Sequence, residues 1–201
     1  ENNLQTAGLS LNQAFRTRSF WLCGFSSLAL AFCMLLVLIH IVPHAMDLGF
    51  SDTQAALTLS IIGGSAIAGR VLMGIWADRV GRKPTAVITF LIQAGAMVWL
   101  LWAQDLWMLY LVALVYGFAN GGLHSAKSAL TGDIFGVRRI GTILGILEVG
   151  FAIGATLGPF LAGLLFDVTN SYDIAFLTSA LFMVMGALVI ALTRREVGRN
   201  T

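Results

Sequence analysis

Six blocks of about 20 to 26 mostly apolar residues follow one another along this chain of 201 residues. A helix needs about 20 such residues to cross the hydrocarbon core of a bilayer. Charged residues make up only 11% of the chain, where a soluble domain carries roughly 25%. Six spans in succession exclude a soluble enzyme, a secreted disulfide scaffold and a nucleic-acid binder. The net charge of +2 is too small to argue for a polyanionic partner. The expected fold class is an all-α membrane protein of six transmembrane helices, over 20–42, 53–77, 85–103, 106–130, 140–166 and 173–193. The bundle then occupies 20–193, between a polar linker at 1–19 and a short tail at 194–201. The polar opening, without an initiator Met or signal-like segment, reads as an internal loop of a longer protein.

Pro43, Gly81 to Pro84, and Gly136 punctuate the connections, as helix breakers should. Those connections are short, so sequential helices form antiparallel hairpins. Cys23 and Cys33 are separated by roughly 15 Å of helix. That is too far for a disulfide, so both read as small apolar fillers.

Basic residues sort to one side. Arg16 and Arg18 precede span one, Arg79, Arg82 and Lys83 follow span two, Arg138 and Arg139 follow span four, and Arg194, Arg195 and Arg199 follow span six. These are ten of the 12 Lys and Arg residues. The opposite loops hold Asp47, Asp52, Asp105, Asp167 and Asp173 and nothing basic. By the positive-inside rule both termini are expected in the cytoplasm, on a multi-pass protein of the cell or inner membrane. Trp21, Trp76, Trp102 and Trp107 lie near span ends, as interfacial anchors do.

An offset of 89 residues superposes Gly69, Arg70, Gly74 and Asp78 of span two on Gly158, Pro159, Gly163 and Asp167 of span five. Three helices per unit is an odd number, so the second unit enters the membrane inverted, a 3+3 repeat. After span two the chain reads GIWADRVGRKP. Gly74 allows close helix approach, and Asp78 sits at a helix end where it can pair with a basic residue or a helix N-terminus. Gly81 permits the tight turn. Arg79, Arg82 and Lys83 are expected to anchor the loop to anionic headgroups.

The pattern G-x-x-x-D-R-x-G-R-K between two spans resembles the signature loop of the major facilitator superfamily. That resemblance implies a twelve-span transporter of two six-helix halves. Its polar opening resembles the central loop, so the chain resembles the C-terminal half, and the N-terminal six-helix half would be a missing partner. HIVPHAMDLGFSDTQAA after span one, GR in span two and GPFLAGLLFD in span five resemble the monocarboxylate and oxalate/formate antiporter branch. It departs from that branch twice. Monocarboxylate carriers place an acid one turn before the span-two arginine, where Ala66 stands here. Oxalate/formate antiporters carry a lysine in span five, whose only charge here is Glu148, so a dicarboxylate would lack one positive partner in this half.

A charge in the hydrocarbon costs at least about 2.5–3.5 kcal/mol, so each needs a reason. Arg70 shares a small-residue face with Gly63, Ala66 and Gly74. It reads either as a snorkelling structural arginine or as a fixed cation for a carboxylate substrate. Glu148, on a face with Gly141, Gly145, Ala152 and Ala155, is either a proton carrier, since low dielectric favours the neutral acid, or a structural partner for a basic residue. Tyr116, Asn120, His124 and Lys127 follow at i+4, i+4 and i+3 along span four, a polar stripe expected to line water or other protein. Within it Lys127 can instead snorkel, and His124 can be a hydrogen-bonded core histidine. His40 and His44 bracket Pro43, as ordinary interfacial histidines or as an outer gate with proton access. Gly150, Gly154 and Gly158, then Pro159, read as close packing with a possible bend.

No metal-ligand cluster, nucleotide loop or nucleophile–base set stands out, so neither a cofactor nor an enzyme is expected. The expected function is secondary transport of a small organic anion by alternating access, as a symporter or antiporter. A multidrug or other solute exporter, or a non-transporting membrane sensor or scaffold, are the alternatives.

Overall fold

A computed structural model of the chain describes residues 8–196. Seven helices and no β-strand occur among them: α1 (Leu11–Phe15), α2 (Arg18–Asp47), α3 (Asp52–Val80), α4 (Arg82–Leu100), α5 (Leu106–Phe135), α6 (Ile140–Thr169) and α7 (Asp173–Leu192). The six from α2 to α7 are each long and apolar enough to cross a membrane, and they coincide with the six expected spans.

Local chemistry sets the helix ends. Ser51 and Gln54 form a reciprocal capping box at the start of α3, satisfying amides that have no partner inside the helix. Gly81 takes φ 110° between α3 and α4, a conformation that side chains with a Cβ resist. Asn170 ends α6 in the left-handed region at φ 52°. Several ends shift by three to five residues from expectation; α2, for one, runs through Pro43 to Asp47 rather than stopping at the proline. A proline removes one helix hydrogen bond, and the buried His44 and Ala45 beyond it supply packing that holds the last turn.

The bundle is built from two equivalent halves. α3 packs along α5 and α2 along α6 as the most extensive pairs, while α4 and α7 pack against each other and against α5 and α2. Exchanging α2, α3 and α4 for α5, α6 and α7 leaves this pattern unchanged. The repeat seen in sequence is also visible at its glycines. Gly69 lies against the Phe118 carbonyl of α5, and Gly158 lies against the Phe32 carbonyl of α2. α3 and α6 stand on the flanks of this arrangement and are the least buried of the six.

The segment before α2 is more than a linker. Ser10 and Gln13 cap α1, Ala14 is fully buried, and the Leu9 amide donates to the Phe135 carbonyl at 3.0 Å. At the same end, the Glu196 amide donates to the Ile134 carbonyl at 3.0 Å. Cys23 and Cys33 are buried and unbridged.

Candidate functional site

The polar stripe of α5 does not share one environment. Successive steps of four residues advance about 40° around a helix of ~3.6 residues per turn, and a step of three turns it back about 60°. Tyr116 is accordingly fully buried, and its hydroxyl has no hydrogen-bond partner. Asn120 is buried too, with Oδ1 unpartnered. Of the two settings left open for the stripe, water or other protein, these two side chains meet protein inside the bundle. His124, two steps further round, is half-buried, with Nε2 at 3.4 Å from the Met34 sulfur of α2 and its ring 6.2 Å from Phe151 of α6. Lys127 turns back inward and is only 7% exposed. Its ammonium lies 6.0 Å from the centre of the Phe151 ring, and no described carboxylate comes within 4.0 Å of it. Lys127 therefore does not snorkel.

Arg70 and Glu148 are exposed in this chain, and their helices tell which exposure it is. On α3, Gly63, Arg70 and Gly74 share one flank, where a Cβ on Gly63 would meet nothing and one on Gly74 would meet Ser125 of α5. Exposed Leu57, Val71, Leu72 and Ile75 occupy the rest of the open surface, and exposed Ile67 stands beside Gly74. On α6, Glu148 shares its flank with Gly141, Ala152 and Ala155, and the opposite flank shows Val149, Ile153, Phe160 and Leu164. A helix keeps its small and polar residues off lipid and turns its large apolar ones to it. Glu148 thus stands on the small-residue side of α6, and Arg70 between the small residues of α3 and Ile67.

These groups meet at common depths. Counting ~1.5 Å per residue from each helix centre, Arg70 and His124 lie about 5 Å towards the basic end, and Lys127 and Glu148 about 10 Å. The contacts at this level join His124 and Lys127 of α5 to Met34 of α2 and Phe151 of α6, while Arg70 and Glu148 stand at the same depths on α3 and α6. Nothing in the sequence singles out Met34 and Phe151, since neither Met nor Phe is unusual in a span.

The histidines of α2 stand apart. His40 is about 11 Å from the centre of α2 towards the other end, where its Nε2 meets the Pro159 carbonyl at 3.1 Å. It ties α2 to α6 beside the proline. His44 is buried against Tyr172 and Phe176 at 5.6 and 5.0 Å between ring centres.

The loop after α3 is folded down by its own charges. Arg82 donates to Asp133 at 2.7 Å and to the Ala129 carbonyl at 3.2 Å, and stands 3.9 Å from Asp78. Lys83 donates to the Thr193 carbonyl at 2.8 Å. Arg82 and Lys83, expected to anchor the loop to headgroups, also bind protein here: Arg82 meets Asp133 in the last turn of α5, and Lys83 meets the Thr193 carbonyl at the end of α7, where unpaired carbonyls attract cations. Arg79 and Asp78 stay exposed. Asp133 was overlooked, although both loops at this end carry an Asp three residues before a helix-ending glycine, Asp78 with Gly81 and Asp133 with Gly136.

Comparison with known proteins matches this architecture. The family model of the Major Facilitator Superfamily matches residues 20–201. Monocarboxylate transporter 13 of Rattus norvegicus is 31% identical over 154 residues, covering 76% of this chain and 36% of that protein. Monocarboxylate transporter 12 of Homo sapiens is 27% identical over 179 residues, covering 87% and 35%. The chain thus spans about a third of the length of these curated relatives. Among solved structures, a bacterial homolog of the human lysosomal transporter Spinster, inward-facing and unoccupied, superposes with a TM-score of 0.65 at 16% identity. That match covers 96% of this chain and 50% of the other. The inverted repeat, the loop signature after α3 and these relatives agree, and the chain belongs to the Major Facilitator Superfamily.

Proposed function

We propose that this chain forms the C-terminal half of a secondary transporter for small organic anions. A second six-helix bundle completes the cavity, and the two rock about it to alternate access. The observation that carries this reading is four ionisable side chains in the spans at two matching depths, His124 and Lys127 beside Phe151 and Arg70 and Glu148 exposed on α3 and α6. Cations in a low-dielectric cleft favour a carboxylate, and a guanidinium can bind it with two parallel hydrogen bonds. Glu148 opposite Lys127 is the group available to exchange a proton with the passing substrate, which supports proton coupling or exchange. The monocarboxylate transporters among the relatives make a monocarboxylate the first substrate to try.

The basic end is the cytoplasmic one in this reading, by the positive-inside rule. Asp78, exposed beside its partly engaged Arg82, is free to latch onto the fifth span of the complete protein when the cytoplasmic side closes. Uptake of radiolabelled monocarboxylates into proteoliposomes of the full-length protein tests the proposal. Uptake that Arg70→Ala abolishes and Arg70→Lys only partly restores is the expected result, since lysine lacks the planar fork. Flux unchanged in Arg70→Ala refutes the assignment of Arg70. No flux of any monocarboxylate, dicarboxylate or sugar favours a sensor or scaffold.

A further inference from the structure

Where α2 begins and α7 ends, a cleft of about 580 Å³ opens at the basic end of the bundle. Arg16, Arg18 and Arg194 line it, with Ser19, Gln13 and Glu196. Among the described residues, none of the three arginines has a carboxylate within 4.0 Å. The one acid in the lining, Glu196, accepts the Ser19 hydroxyl at 2.5 Å, so the three guanidinium groups outweigh a single carboxylate. The Arg194 amide donates to Ser19 Oγ at 3.1 Å, so the Arg194 backbone is held at the rim. The first amides of α2, a helix of 30 residues, add their partial positive charge.

Directly beneath, one turn further along both helices, the groove between α2 and α7 becomes wholly apolar. Leu22, Phe25, Met185, Leu188 and Val189 line about 390 Å³ there, beside Trp21. A second apolar groove of about 540 Å³ starts at the same Trp21 and runs between α2 and α6 as far as Ile153. Trp21 is 66% exposed, and its indole donates to the Phe15 carbonyl at 3.1 Å. An amphipathic ring in that position marks the level of the headgroups.

We propose that this cleft and the grooves below it form a binding site for an anionic phospholipid, with the phosphate among Arg16, Arg18 and Arg194 and the acyl chains along α2 on either side of Trp21. Charge complementarity selects the occupant, since three unpaired cations at the membrane surface sit over a slot that only hydrocarbon fills. A water-soluble anion would leave the grooves empty, and a zwitterionic lipid would bring no net charge to the arginines. The site lies on the apolar flank of α6, away from Arg70 and Glu148, and does not depend on the transport reading or on which leaflet holds the basic end.

The test is native mass spectrometry of the full-length protein in detergent, titrated with long-chain phosphatidylglycerol, phosphatidylcholine or inorganic phosphate. Phosphatidylglycerol is retained in preference to phosphatidylcholine, and millimolar phosphate does not displace it. The variant R16Q/R18Q/R194Q loses affinity for phosphatidylglycerol on the order of 100-fold, at about fivefold for each arginine near a charged bilayer surface. If the triple variant loses its helical circular dichroism, Arg18→Gln alone carries the test with its expected fivefold loss. Equal retention of the two lipids, unchanged phosphatidylglycerol binding in the variants, or displacement by phosphate alone would each overturn the proposal.

Discussion

Substitution of the α6 glycines puts the helix packing to a graded test. A Cβ added at Gly150 would stand 2.7 Å from the Gly24 carbonyl oxygen, about 0.7 Å short of the 3.4 Å of ordinary contact. At Gly154 and Gly158 the obstacles are the carbonyls of Leu28 and Phe32, and the shortfall at each exceeds about 1 Å. These are backbone atoms in the middle of α2, so relief requires the two helices to move apart. Overpacking of that kind costs about 1–3 kcal/mol. Against it stands the gain of replacing glycine by alanine in a helix, about 0.5–1 kcal/mol. Gly150→Ala is then close to neutral, while Gly154→Ala and Gly158→Ala are destabilising by about 1–2 kcal/mol. For a chain of this size that lowers the midpoint of thermal unfolding by roughly 2–8 °C. Gly95→Ala on α4, where a Cβ meets nothing within 4 Å, serves as control and is expected to hold or raise the midpoint. Tryptophan fluorescence of the detergent-solubilised protein during heating measures the series. Equal midpoints for Gly154→Ala and Gly95→Ala would refute the close crossing of α2 and α6.

Two further substitutions separate stability from function. Lys127→Met removes a buried ammonium with no described carboxylate within 4.0 Å, so the melting midpoint should rise by an amount equivalent to about 1 kcal/mol or more. Anion uptake by the same variant should fall, and a lowered midpoint would show that Lys127 has a stabilising partner. A double-mutant cycle on Arg82→Ala and Asp133→Ala should give a coupling of about 0.5–1 kcal/mol, as both side chains stay over a third exposed to screening. That coupling should shrink in high salt; its absence would mean the bridge does not hold the loop.

Six membrane helices, the break at Gly81, the inverted repeat and the family were all legible in the chain, because each depends on residues close in sequence. A span needs only length and apolarity, a turn needs only its glycine, and the repeat needs Gly69 and Gly158 at matching places. Which way each polar side chain faces is not local in that sense. Tyr116 and His124 sit two turns apart on one helix, yet a small drift around the axis buries the first in the core and sets the second beside Phe151 of a helix that follows later in the chain. Arg82 read as a headgroup anchor until folding brought the end of α5, with Asp133, beneath it. Sequence alone determined how often the chain crosses the membrane, since hydropathy is a property of each segment by itself. Tertiary structure alone decided which polar side chains are buried in the bundle, which stay exposed and which close a loop, because a side chain's partner is set by the neighbouring helix rather than by its own.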